Sequence, residues 1–161
     1  MPVRPHGGAA ITAAVATLLL PLAAPATTAR AARPVYTLRN VRTRTCLHHA
    51  DGTSQVSLEV CGPVAGQRWE LRPEGTTTNL AAQDPDGGFA GCVTVGDFRN
   101  ARLGQCRTSE AAWTVTPGAH ARIKSESGLN GNDLYLTEAQ PGHVAARPDR
   151  DAAAPDWTVT L

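Results

Sequence analysis

The three tryptophans of this 161-residue chain stand at positions 69, 113 and 157, each 44 residues from the next. Two of them, Trp113 and Trp157, open the same tetrapeptide, WTVT, and Trp69 follows Gln67-Arg68 in GQRWELRP. Equal spacing of a rare, large side chain marks a repeated structural unit, and a unit so short cannot bury its apolar face alone. Three units, about 33–73, 74–117 and 118–161, are therefore expected to share one core. Their tryptophans would meet there around a pseudo-threefold axis.

Each unit reads as about four short strands. In the first, VYTLRNV alternates, and QVSLEV puts Val56, Leu58 and Val60 on one face with Ser57 and Glu59 on the other. Asp51-Gly52, between TCLHH and QVSLEV, has turn chemistry. The second unit offers TTTNLA, GCVTV, ARLGQC and WTVTP; the third offers ARIKS, LYLTE, HVAAR and WTVTL. No window of ten or more residues beyond the N-terminal segment holds a helical period; SEAAW and DAAAPDW are short, and Pro155 breaks the latter. The expectation is a twelve-stranded, all-β domain with Trp69, Trp113 and Trp157 in its core.

The N-terminus has a different character. Arg4 precedes an uncharged run, AAITAAVATLLLPLAAPA, and small residues in TTARAA follow. That order is the pattern of a secretory leader, with cleavage expected after Ala31 and a second candidate site after Ala26. Removal of residues 1–31 takes away Arg4 and Arg30, leaving 13 basic side chains against 14 acidic ones. So balanced a surface argues against nucleic acid or an anionic membrane as partner. The four cysteines, Cys46, Cys61, Cys92 and Cys106, all lie in residues 32–161, as expected of a small exported domain. Three pairings are open in principle. The repeat favours one local bridge per unit, Cys46–Cys61 and Cys92–Cys106, because each pair precedes its tryptophan by a similar distance. Each would close a loop of about 15 residues, worth about 3 kcal/mol in the chain-entropy picture. A zinc site needs closer cysteine spacing than this, and no CxxC occurs.

The stretch GTSQVSLEVCGPVAGQRWEL resembles the second half of a ricin B-type repeat, through Val56, Leu58, Cys61, Gln67 and Trp69. TCLHH resembles the Cys-Leu-Asp segment of the same repeat. The resemblance covers about residues 34–161. Unit two keeps both cysteines and the Trp but has Ala111 in place of Gln. Unit three keeps the Trp and strand pattern, with Tyr135 and Asp149 in the cysteine positions and Pro155 in that of Gln. The resemblance implies a β-trefoil: a six-stranded barrel closed by three hairpins, with one disulfide in each of units one and two. It also implies where a sugar would bind. Family members that bind galactose or xylose use an Asp, a stacking aromatic and an Asn-Gln pair per unit. Those places hold His48, Glu59, Gly66 and Gln67 in unit one, and Thr94, Gly104, Glu110 and Ala111 in unit two. In unit three they hold Thr137, Arg147, Ala154 and Pro155. The Asp and the aromatic are absent from all three.

Ligand-binding candidates are therefore few. His48, Asp51 and Gln67 form a possible unit-one set of hydrogen-bonding groups. His49 neighbours His48 but points to the opposite face of a strand, so the two cannot easily share a ligand. Phe98, in GDFRNARLG, is an aromatic flanked by polar residues: it either offers a ring to a sugar face or folds back over the second disulfide. No GxSxG, HExxH or P-loop occurs, and the carboxylates of DPDGG and RPDRDAAAPD read as turn formers, so neither catalysis, cofactor nor metal is expected. The leading expectation is a secreted, monomeric, non-catalytic protein that binds a glycan or polysaccharide through degenerate sites. The rival is a trefoil that binds an extracellular protein, such as a hydrolase that it inhibits, through AAQDPDGGFAG or PGHVAARPDRDAAAPD, with Arg147 or Arg150 as a basic contact. A domain without any ligand is the third reading. Non-reducing peptide mapping separates the expected pairing of the cysteines from a crossed one, which would sink the division into units.

Overall fold

A computed structural model describes residues 33–115, 118–128, 133–148 and 156–161. The expected leader at 1–31, and Asp149, Arg150, Asp151, Ala154 and Pro155, lie outside the described residues. Twelve strands follow in order: β1 Val35–Asn40, β2 Thr45–His49, β3 Val56–Val60, β4 Trp69–Glu74, β5 Thr77–Gln83, β6 Phe89–Val95, β7 Ala101–Gly104, β8 Trp113–Val115, β9 Gly118–Ser125, β10 Leu134–Gln140, β11 His143–Pro148 and β12 Asp156–Thr160. Three single 3-10 turns, Ala65–Gln67, Asp97–Arg99 and Ser109–Ala111, interrupt them.

Six strands close on themselves. β1 pairs with β4, β4 with β5, β5 with β8, β8 with β9, β9 with β12 and β12 with β1, all antiparallel. Closure into a barrel removes the free edges that an open sheet would expose. The other six strands make hairpins, β2–β3, β6–β7 and β10–β11. These touch one another too: Ser57 pairs with His143, Gln55 bridges to Arg102 and Asn100 to Ala145.

The interior is one cluster that contains Leu38, Leu47, Leu80, Val93, Ile123, Leu134, Leu136 and all three tryptophans. Each tryptophan is 0% exposed. An indole so deeply buried needs a partner for its N–H. Each finds a backbone carbonyl: Trp69 Nε1 donates to Leu47 at 3.0 Å, Trp113 to Val93 at 2.8 Å and Trp157 to Leu136 at 2.9 Å. Across the ladder, Trp69 faces Ala82, Trp113 faces Ser125 and Trp157 faces Asn40, all buried and small.

Both disulfides join as expected, Cys46 to Cys61 and Cys92 to Cys106. Each ties the second strand of its unit to the segment that follows the third. His49, the last residue of β2, is buried: it is 1% exposed, packs edge-on to Trp69, and its Nε2–H donates to Gln83 O at 2.9 Å. AAQDPDGGFAG, expected as a possible contact for a partner protein, is largely strand. Most of it lies in β5 and β6, joined by a tight turn in which Gly87 N donates to Asp84 O and Gly87 takes φ 76°.

On the outside of β4, the Glu70 carboxylate accepts from Arg72 Nε at 2.8 Å and Gln83 Nε2 at 2.9 Å. Burial acts to raise the pKa of Glu70. The hydrogen bonds from Arg72 and Gln83, then the Arg72 charge, outweigh it and hold the group below its ordinary 4.5. A depressed carboxyl contributes stability above its unfolded value that is lost as pH falls through the folded one. Acid unfolding followed by tryptophan fluorescence should therefore steepen below about pH 4.5, and Glu70→Gln should flatten that limb. Core and surface rings should differ sharply in denaturant titrations. Trp113→Ala is expected to cost about 3–5 kcal/mol, and Phe98→Ala less than about 0.5 kcal/mol. Equal and small effects would remove the tryptophans from the core.

Candidate functional site

The four candidate ligand residues do not come together. Gln67 is 2% exposed, and its amide is fully engaged by backbone: Nε2 donates to Val60 O at 2.8 Å, and Oε1 accepts from Gly62 N at 2.9 Å. It fastens the segment after Cys61 to the turn before Trp69. Asp51 lies exposed at the tip of the β2–β3 turn, beside Gly52 with φ 68°. His48 is half-buried on β2, its Nδ1 3.2 Å from Glu59 Oε1 but without the alignment of a hydrogen bond. A Cβ on Gly66 would stand 2.6 Å from His48 Nε2. In unit one, then, the family's first three sugar positions are packed against one another.

Unit two is different. A depression of about 780 Å³ opens there, and Thr94, Gly104 and Glu110 all line it. These are three of the four positions at which the resemblance places sugar contacts. Gly104 is needed for the close approach of its neighbour: a Cβ there would meet Thr94 Cγ2 at 2.9 Å. Thr94 Oγ1 donates to Arg102 O, leaving the hydroxyl's lone pairs toward other donors. Ala111, in the Gln position, is buried against the second disulfide. Asn79 takes over the backbone work that Gln67 does in unit one: Nδ2 donates to Ala111 O, and Oδ1 accepts from Arg107 N.

Phe98 enters this depression from the 3-10 turn between β6 and β7. It is 90% exposed, so it does not cover the Cys92–Cys106 bridge. Its backbone is left-handed, at φ 54° and ψ 23°, which is uncommon for a bulky residue. Around it stand Asp97, Arg99 and Arg102, and Ser54 and Ser127 are contributed by the neighbouring units. The Glu110 carboxyl is held below the usual range by its own backbone N–H, then by the hydroxyls of Thr108 and Ser109. It is an ionised acceptor in the depression. Ring, hydroxyls, acceptors and guanidinium donors together suit a small polyhydroxylated ligand.

The third unit offers less. Thr137 is buried, and Arg147 is half-buried within β11 opposite Tyr135, so it is no exposed loop arginine. Among the described residues no three His, Cys, Asp or Glu side chains gather as a metal site needs. Sequence reasoning passed over Phe89, 43% exposed at the start of β6, over which the Arg72 guanidinium lies at 4.4 Å from the ring centroid. The available signal was a phenylalanine placed just after a Gly-Gly turn.

No protein-family model and no curated protein matches the chain. Solved structures do. The β-trefoil lectin of the Vibrio vulnificus hemolysin/cytolysin, crystallised with N-acetyl-D-lactosamine, matches at TM-score 0.62 and 18% identity, over 79% of this chain and 93% of that one. ThreeFoil, a designed 3-fold symmetric protein, matches at TM-score 0.61 and 13% identity, over 79% and 98%. The endo-β-galactosidase of Clostridium perfringens that releases GlcNAcα1-4Gal matches at TM-score 0.61 and 16% identity, over 78% of this chain but 31% of that one. The chain thus spans under a third of the enzyme's length. Barrel, hairpins and neighbours agree, and the fold is a β-trefoil.

Proposed function

We propose that the protein is a secreted, non-catalytic carbohydrate-binding protein whose sugar site is the unit-two depression, with Phe98 as the ring that covers the sugar's apolar face. The observation that carries this reading is positional. Thr94, Gly104 and Glu110 occupy sugar-contact positions of the family and line one depression, and an exposed aromatic stands in it although the family's own aromatic position is Gly104. The left-handed backbone at Phe98 supports it, since such a conformation costs a non-glycine residue about 1–2 kcal/mol and the ring recovers nothing by burial. A glycine would suit the turn better; a phenylalanine suits a ligand.

The non-catalytic reading has two supports. Glu110, held below the usual carboxyl range, does not fit the raised general acid of a glycosidase, though it would fit the ionised partner; no GxSxG, HExxH or P-loop motif occurs either. Secretion is supported by the leader pattern of residues 1–31 and by two disulfides. Three units of about 44 residues, related by a pseudo-threefold axis, account for the threefold recurrence of strand pairings and tryptophan hydrogen bonds. The designed neighbour ThreeFoil, a 3-fold symmetric protein, is consistent with it.

Residues 32–161, produced in an oxidising compartment, should bind a subset of a broad glycan and polysaccharide panel, with binding competed by free sugar. Phe98→Ala should weaken that binding by about tenfold or more, the loss of roughly 1.4 kcal/mol of stacking. His48→Ala and Gln67→Ala should not abolish it in protein that remains folded. No binding by well-folded protein would transfer the argument to a protein partner, and release of reducing ends from a bound glycan would overturn the non-catalytic reading.

A further inference from the structure

A second depression, of about 670 Å³, adjoins the first. Ser54, Leu103, Gly104 and Gln105 line both, so the two meet along β7. Phe89 stands in the second as Phe98 stands in the first. Taking the sugar-binding reading above as its basis, we propose that the two depressions form one continuous cleft for an internal stretch of an uncharged, linear polysaccharide, with a phenylalanine toward each end.

Three observations support a cleft over two separate pockets. The first is length. Phe89 begins β6 and Phe98 follows its far end, so the seven-residue strand separates the backbone at Phe89 from the turn that bears Phe98 by about 20 Å at its ordinary rise. That reach takes several sugar rings in file. The second is the floor at the junction, where Gly91 and Gly104 approach closely: a Cβ on Gly91 would meet Gly104 O at 3.2 Å and Leu103 Cβ at 3.3 Å. With no side chain on either glycine, the floor between the aromatics is backbone rather than a ridge.

The third is charge. Asp84, Asp97 and Glu110 line the combined cleft against Arg99 and Arg102. A polyanionic chain would require an excess of basic groups; mixed charges with hydroxyls and the Gln105 amide suit neutral hydroxyls that both donate and accept. The Phe89 ring is also held in place. Arg72 covers one face, and Arg72 is itself fixed by Glu70, so the ring is presented with little freedom left to lose on binding.

The test is a chain-length ladder. Calorimetric titrations of residues 32–161 would use dimers, tetramers and hexamers of xylo-, cello- and galacto-oligosaccharides. In the ladder that binds, the hexamer should bind at least about tenfold more tightly than the dimer. Phe89→Ala should lower hexamer affinity toward that of the dimer, while Val60→Ser, exposed elsewhere, should leave the ladder as it was. A flat ladder, or a Phe89→Ala protein that keeps the full length dependence, would overturn the cleft while leaving the single-site reading standing. Failure of the wild-type protein to bind any oligomer would instead overturn that underlying reading, and the cleft with it.

Discussion

The structure depends on three buried indole N–H groups and where each sends its hydrogen bond. A tryptophan removed from water contributes a large apolar area, but an unpaired N–H in the interior would cost about 1–3 kcal/mol. Here every indole donates to the carbonyl of a residue in the second strand of its own unit: Leu47 in β2, Val93 in β6 and Leu136 in β10. The three tryptophans also face the first strand of the following unit across the ladder, where Ala82, Ser125 and Asn40 leave room for the ring. One side chain thus couples barrel to hairpin and unit to unit. That coupling explains why WTVT recurs while most of the surrounding sequence does not.

What the units do not share is the means of tethering the segment before each tryptophan. Unit one uses a disulfide and Gln67, whose amide bonds the backbone after Cys61. Unit two keeps a disulfide but has Ala111, and Asn79 reaches across from β5 to make equivalent bonds. Unit three has no cysteine, and its segment before Trp157 lies outside the described residues. Tyr135 stands in a cysteine position with the Arg122 guanidinium 4.1 Å from its ring centroid, and Lys124 pairs with Asp133 at 2.9 Å beside it. In units one and two the requirement is the same, because a strand end that frays would expose the indole beneath it. Different chemistry meets it.

Much of the fold was legible because its signals are local and periodic. Alternation in QVSLEV and the recurrent WTVT point to strands and to a shared core, and paired cysteine spacing suggests local bridges. The site was less legible. Gln67 lies in a family motif that also touches sugars in some members, and nothing in the residue type tells a backbone tether from a ligand contact. The His48-His49 pair looks chemical, yet one ring is core and the other is packed against Gly66. Phe89 escaped notice because its role depends on Arg72, seventeen residues away in sequence and brought to it by the β4–β5–β6 order of the sheet. Contacts made by topology leave no mark on a window of sequence.

The displacement of the aromatic from a strand to a loop also has a mechanical consequence. In the family pattern the stacking ring sits on a strand, where the ladder fixes its direction. At that position this chain has Gly104, whose lack of a side chain lets Thr94 approach and opens the floor toward Gly91. A ring on the strand would close that floor and divide the two depressions. Moving it to Phe98 keeps a ring at the site while leaving the passage clear, at the cost of a left-handed backbone and a nearly fully exposed side chain. Under the proposed cleft, the glycine at position 104 and the open floor toward Gly91 are two aspects of one residue, and a binding mode suited to the middle of a chain fits that residue better than one suited to a terminal sugar.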